Sequence, residues 1–246
     1  MRVLVVSDIH ANLAALDAVL ADAKPCDYEA VWCLGDTIGY GPEPDECVSR
    51  MRLLKPRAVV GNHDWAVLER MDTDDFNREA RQAVLWTRGR LSPESLAWLS
   101  DLPSDPIIEG DFTLTHGSPR DPVWEYILYP AIAYANFAHF TTPFCLVGHT
   151  HLQTIFTMGA DDHTVNMMRF KAGQPASLQR DRRTILNPGS VGQPRDNDPR
   201  AAYAILDTTK ATWIPRRVLY PIEVTQAHMR AAGLPERLIT RLDFGW

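Results

Sequence analysis

Short apolar runs, each closed by a polar residue, set the rhythm of this chain. Residues 3–6 (Val-Leu-Val-Val) form a continuous apolar run rich in β-branched residues, the pattern of a strand buried on both faces. Leu13, Leu16, Val19 and Leu20 then recur at helical spacing over residues 12–23, with Asn12 placed as an N-cap. Residues 30–34 repeat the strand signal. Residues 43–54 read as a helix with Pro42 and Pro44 near its start, and 57–60 as a third strand. This β-α-β-α-β opening predicts a largely parallel sheet with crossover helices.

The rhythm changes over residues 65–102. There Trp86, Leu91, Leu96, Trp98 and Leu99 give an amphipathic helical pattern, with a fresh start at Ser92-Pro93. Two expectations stay open for this stretch: a helical cap or insertion, or ordinary core packing. Strand signals return at 107–108, 112–115 and 144–147, with a helix expected over 130–140. Segments 153–158, 164–170, 184–186, 201–206 and 212–219 predict strands joined by polar turns, mostly antiparallel. The tail, 225–242, reads as helix broken at Gly233-Leu234-Pro235. The length of 246 residues suits one domain, 1–246, with that possible insertion.

Composition narrows the partners. A net charge of −6 disfavours a dedicated grip on nucleic-acid backbone, so nucleic acid is expected only as a substrate. No apolar stretch approaches a membrane span. The four apolar residues after Met1-Arg2 are too few for a signal-peptide core. Cys26, Cys33, Cys47 and Cys145 lack zinc-ribbon spacing and read as reduced. Together these point to a cytoplasmic location. Homo-oligomerisation through the helical region stays open. Arg182-Arg183 and Arg216-Arg217 are expected as solvated faces, and Trp86, Trp98, Trp124, Tyr126 and Tyr129 as packing residues more than nucleobase platforms.

The candidate chemistry lies where the apolar runs end. Asp8-Ile9-His10, Gly35-Asp36, Gly61-Asn62-His63-Asp64, His116-Gly117 and Gly148-His149-Thr150-His151 each sit at or just past a strand end. Asp8 and His10, two apart on extended chain, point the same way. Asp36 offers two oxygens that can bridge two ions, and Asn62 a neutral amide oxygen. His116, His149 and His151 add nitrogens. Such mixed N and O donors favour Mn, Fe, Zn or Ni over Mg or Ca.

In order and spacing these motifs resemble the calcineurin-like metallophosphoesterases, over residue 1 to about residue 195. The resemblance implies an α/β fold (α+β by some schemes), a four-layer αββα sandwich of two mixed sheets flanked by helices. It implies two divalent transition-metal ions, with manganese favoured for activity. Asp8, His10, Asp36 and His151 would hold the first, and Asp36, Asn62, His116 and His149 the second. Two ions about 3.5–4 Å apart would share a water and generate a hydroxide nucleophile near neutral pH. His63 would assist the leaving group, with Asp64 orienting it.

Departures from the pattern bear on the substrate. The Ser/Thr protein phosphatases and diadenosine-tetraphosphate hydrolases of this superfamily carry Asp-Arg-Gly after the bridging Asp and an Arg before Gly-Asn-His. Here those places read Gly39-Tyr40-Gly41 and Val60. The chain looks closer to small bacterial and archaeal phosphodiesterases, whose Asn-Pro-Gly-Ser segment resembles Asn187-Pro188-Gly189-Ser190 here, expected as a turn bordering the site. Arg120 and Arg195 are candidates to replace the missing arginines on a small phosphate-ester or nucleotide substrate. The alternatives are a phosphomonoesterase or Ser/Thr protein phosphatase and, more remotely, a catalytically silent scaffold.

Overall fold

The computed structural model describes residues 1–159, 163–169 and 171–246. Strands β1 (Arg2–Val6), β2 (Ala30–Cys33) and β3 (Arg57–Ala58) alternate with helices α1 (Leu13–Ala23) and α2 (Pro44–Leu54). Helices α3 (Asn62–Val67), α4 (Arg78–Arg88) and α5 (Pro93–Ser100) follow. Next come β4 (Ile107–Glu109), β5 (Phe112–Leu114), α6 (Pro130–Asn136), β6 (Phe144–Leu146), β7 (Gln153–Met158) and β8 (Val165–Arg169). The chain continues through β9 (Ala176–Ser177), β10 (Thr184–Pro188), β11 (Ala201–Asp207) and β12 (Thr212–Val218) to α7 (Ile222–Ala231) and α8 (Glu236–Thr240).

These strands form two six-stranded mixed sheets, ordered β3-β2-β1-β11-β12-β9 and β4-β5-β6-β10-β7-β8. In the first, β1, β2 and β3 run parallel and β11 returns antiparallel to β1. In the second, β5, β6 and β10 run parallel, while β7 and β8 are antiparallel.

The period of two in β1 explains the layering. Val3 and Val5 face inward and meet Phe112, Leu114, Phe144, Leu146 and Leu186 of the second sheet. Leu4 and Val6 face outward and pack beneath Leu16 and Val19 of α1 and Met51 of α2. The far face of the second sheet, Cys145, Phe156 and Ile185, is covered by Ala133 of α6 and by Phe137. Helix, sheet, sheet and helix thus stack as the predicted four-layer sandwich. Asn12 caps α1 by accepting from the Ala15 N–H at 3.1 Å.

The helical region 65–102 lies against α2 and the C-terminal helices. Val67, Phe76, Ala80, Val84 and Leu99 share one apolar cluster with Val48, Met229, Leu238 and Ile239. Some boundaries differ from the sequence expectation. Helix α3 starts at Asn62, inside a motif. The expected strand 57–60 keeps sheet pairing only at Arg57 and Ala58, because the Val60 N–H turns to the Pro103 carbonyl. Strand β9, two residues long, carries no sequence signal. The last residue of the expected strand 164–170 lies outside the described residues.

Of the two basic pairs, Arg182 is exposed as expected, but the other three are not free solvated charges. The Arg217 side chain, only 6 % exposed, pairs with Asp196, Arg216 pairs with Asp22, and Arg183 lies over the Phe140 ring at 4.3 Å. Long basic side chains bury their stems readily, and here nearby carboxylates and an aromatic ring hold the heads.

Candidate metal centre

Parallel strands of both sheets deliver their C-terminal ends to one edge, where backbone hydrogen bonds tie the motif loops together. The N–H groups of Asp8, His10 and Ala11 donate to the carbonyls of Gly35, Asp36 and Thr37, each at 3.0 Å. Gly148 N–H donates to the His116 carbonyl at 2.8 Å. The end of β10 and the residues just after it join the two sheets: Asn187 Nδ2 donates to the Gly148 carbonyl at 2.7 Å, and Ser190 Oγ to the Asp8 carbonyl at 2.8 Å. The expected turn therefore does border the site, as a brace.

The loops are bent sharply to aim their side chains. Asp8, His10, Asp36, His149 and His151 all adopt left-handed backbone, with φ between 50° and 61°. For L-residues this region costs roughly 1–2 kcal/mol each. Such strain persists where the surrounding structure fixes it, and it clusters at functional sites. Two glycines make room. A Cβ on Gly61 would lie 2.0 Å from Asp36 Oδ1, and one on Gly35, where φ is +92°, would lie 2.8 Å from His116 Nδ1.

Seven candidate ligands converge, none more than 3 % exposed. Each of their histidines has one ring nitrogen facing a backbone carbonyl: His10 Nδ1 to Ile38 at 3.2 Å, His116 Nδ1 to Leu34 at 2.7 Å, His149 Nε2 to Trp124 at 2.9 Å, and His151 Nδ1 to Gln193. A carbonyl only accepts, so that nitrogen carries a proton, and the other presents a lone pair, in His116 once its second proton has left. This is how imidazoles are oriented for metal binding.

The inward nitrogens crowd one another. His10 Nε2 lies 3.1 Å from His151 Nε2, and His116 Nε2 lies 3.2 Å from His149 Nδ1 and 3.1 Å from Asn62 Oδ1. Each aspartate has one oxygen held and one aimed inward. Asp8 Oδ2 accepts from the His149 N–H at 3.1 Å, while Oδ1 stands 3.2 Å from His151 Nε2. Asp36 Oδ1 accepts from the His63 N–H at 2.9 Å. Its Oδ2 lies 3.6 Å from His10 Nε2 and 3.5 Å from His116 Nε2, midway between the two groups.

Both inward oxygens, Asp8 Oδ1 and Asp36 Oδ2, are buried without a hydrogen-bond partner. Unpartnered buried carboxylate oxygens and facing lone pairs are costly unless a cation sits among them. Asp8-His10-His151, His10-Asp36-His63 and Asp36-His116-His149 each have the proximity to hold one. The donor set therefore fits divalent metal.

The electrostatics agree. Burial pushes the Asp8 carboxyl up, but His151 and His116 together outweigh it and hold it below the usual carboxylate range. Asp36 is likewise held low against burial, chiefly by His116 and His63. Burial keeps His10 and His149 well below the ordinary histidine value, so both are neutral donors. His116 goes the other way: burial lowers it, but Asp36 more than offsets this and raises it to about 9. In the metal-free chain a proton on His116 thus supplies positive charge that a metal ion would otherwise bring.

His63 borders the ligands, its ring 4.9 Å from that of His10 and its Nδ1 buried without a partner. Asp64 does not orient that ring. Its carboxylate accepts from the backbone N–H groups of Gly61 at 3.0 Å and Ile38 at 3.1 Å. As the third residue of α3 it closes a helix cap, and it ties that helix to the Asp36 loop.

The two candidate arginines separate. Arg120 leaves the site: its guanidinium is engaged by Glu125 and is 40 % exposed. Arg195 stays, donating to the Tyr40 hydroxyl at 3.3 Å and to Gln193 Oε1 at 3.1 Å. Tyr40 and Tyr126 are the residues that sequence reasoning missed. Tyr40 lies 4.6 Å from the His10 ring and 4.3 Å from that of His63, and Tyr126 stacks on His149 at 3.8 Å. The signal for Tyr40 was its place in Gly39-Tyr40-Gly41, where relatives carry arginine.

Comparison with known proteins agrees with this geometry. Residues 1–211 match the calcineurin-like phosphoesterase superfamily domain, and the chain belongs to that superfamily. A metallophosphoesterase from Sphaerobacter thermophilus is 48 % identical, with a TM-score of 0.89 over 100 % of this chain and 99 % of its own. An uncharacterized protein from Methanocaldococcus jannaschii is 37 % identical across 98 % of this chain and 97 % of its own. A hypothetical protein from Pyrococcus horikoshii shares the fold at 21 % identity, with a TM-score of 0.79 over 100 % of this chain and 98 % of its own. Among the described residues no helix is long and apolar enough to cross a membrane.

Proposed function

We propose that this chain is a dinuclear metal-dependent phosphodiesterase, with one ion held by Asp8, His10, Asp36 and His151 and the other by Asp36, Asn62, His116 and His149. The observation that carries this reading is the pair of buried, unpartnered oxygens, Asp8 Oδ1 and Asp36 Oδ2, ringed by inward imidazole nitrogens. Bound there, two divalent ions supply positive charge for the phosphate and an activated water near neutral pH. Manganese is the metal favoured for activity. The four free cysteines, three of them buried, support a cytoplasmic setting.

The chain's own residues do the positioning. Asp36 Oδ2 faces both groups, and the His63 backbone holds that carboxylate's other oxygen. Burial lowers His63 to about 4, although Asp36 pulls upward, so its ring is neutral at pH 7 and retains one N–H. That N–H is the donor for the leaving-group oxygen. From within residues 65–102, Phe76 packs against the His63 ring at 5.0 Å.

Diesters are favoured on charge. The Ser/Thr protein phosphatases, which act on dianionic monoesters, bring two arginines, where this chain has Tyr40 and Val60. Arg195 alone remains, enough for a monoanionic diester. Hydrolysis of bis- and mono-p-nitrophenyl phosphate with Mn²⁺ tests the assignment. A higher kcat/KM on the diester is expected, and a clear preference for the monoester would make the enzyme a phosphomonoesterase.

A further inference from the structure

A cavity of about 230 Å³ adjoins the candidate metal centre. Tyr40 and Tyr126 line it, and these same rings pack against His10, His63 and His149, so cavity and centre share a wall. Arg195, Arg237 and Arg241 face it, against one carboxylate, Glu79. Neighbouring arginines are paired, Arg230 with Glu236 and Arg217 with Asp196. Among the described residues these three have no ion pair with an Asp or Glu side chain, and Arg195 Nε is buried with no hydrogen-bond partner. Arg241 donates to the Trp246 carbonyl. Burial, with Arg195 adding to it, lowers Arg241 to about 10.

The cavity is smaller than pockets that enclose a whole drug-sized ligand, so it suits one group of a substrate. Three guanidinium forks suit a phosphate. Trp246, 47 % exposed at the rim, offers a flat face to an attached base. Arg237, Arg241 and Trp246 lie beyond residue 211, where the superfamily match ends. The subsite is thus an addition to the shared core.

We propose that Arg237 and Arg241, with Arg195 shared between them and the scissile phosphate, form a second anion subsite that takes a non-scissile phosphate, so that the substrate is a nucleotide bearing a phosphate besides the one hydrolysed. This rests on the reading of the adjoining cluster as the phosphoesterase centre.

Calorimetric titration of the full chain with ADP, both Mn²⁺-loaded and after chelation, tests the subsite apart from that centre. Binding is expected to survive chelation and to weaken by about tenfold or more in the R237Q/R241Q variant, because two charge-assisted contacts are lost. The R237K/R241K variant, which keeps the charge, is expected to recover part of the loss, and adenosine is not expected to compete. Unchanged ADP affinity in R237Q/R241Q, or disappearance of binding on chelation, would overturn the proposal. Failure of the phosphoesterase reading looks different: wild-type protein would bind ADP after chelation yet show no Mn²⁺-dependent hydrolysis of bis-p-nitrophenyl phosphate.

Discussion

The two sides of the Tyr40–Tyr126 wall are built by different means. On the inner side, seven side chains converge because strand ends and strained loops fix their backbone, and hydrogen bonds from five segments lock those loops together. On the outer side, the arginines come from the loop at 195 and from the last ten residues of the chain, on helices and turns held by an apolar face and a few hydrogen bonds from Gln226 and Asn197. The contrast teaches that backbone geometry defines the inner site, while the outer one depends on long side chains that can be exchanged without disturbing the fold. Substitutions should therefore act in steps: severe inside, moderate at the wall, slight beyond it.

The largest effect is expected at Asp36. Its Oδ2 is the one oxygen facing both histidine groups, and no other carboxylate can replace it there. Asp36→Asn should lower bound Mn²⁺, measured by elemental analysis, from the proposed two ions per chain to one or none, with activity down by about a thousandfold or more. Full metal content with near-normal turnover would remove Asp36 from the centre. One rung lower, His63→Ala should keep the metal and lose roughly a hundredfold or more on esters with poor leaving groups, the usual range for a lost acid–base partner. The deficit should shrink on p-nitrophenyl esters, whose leaving group needs little help.

How much of this was legible beforehand follows the same division. Apolar runs and their punctuation revealed most strands and all seven candidate ligands, and the family resemblance supplied the four layers; the extended backbone expected at Asp8 and His10 was not found, because both residues turn into left-handed conformation. The helix at Asn62 was read late because its first residues also serve as site residues, so no apolar periodicity marks them. Asp64 was misread because its neighbour in sequence, His63, is not the partner of its carboxylate; helix capping claimed it first. Arg120 was misread because Glu125, only five residues away, competes for it. Nothing local to Arg237 or Arg241 says that the tail folds back to the site, since that depends on the Leu238 and Ile239 face packing into the α4 cluster.

A gentler probe of the inner site is proton competition. In the metal-free chain His116 is held at about 9, by Asp36 against burial. Below that pH the folded chain carries a proton that a metal ion must displace. Mn²⁺ affinity should therefore rise with pH, by about tenfold per unit from pH 6 to 8, and level off as His116 deprotonates near 9. Competition calorimetry at several pH values checks the slope. A flat profile would mean that no proton leaves when metal enters, contrary to the charge balance around Asp36 Oδ2.

The smallest effect sharpens the boundary. Arg195 and Arg120 both follow a motif loop in sequence, yet only Arg195 borders the centre; the Arg120 guanidinium points outward and is taken by Glu125. Arg195→Gln should raise KM for a diester by about tenfold, with metal content unchanged, since a charge-assisted contact to phosphate is lost. Arg120→Gln should leave KM, kcat and metal content unchanged, because its guanidinium is held by Glu125 in an exposed ion pair that contributes little. If the two variants behaved alike in steady-state kinetics, position after a motif loop rather than contact with the Tyr40–Tyr126 wall would decide which guanidinium meets the phosphate. The division between inner and outer sides would then be drawn in the wrong place.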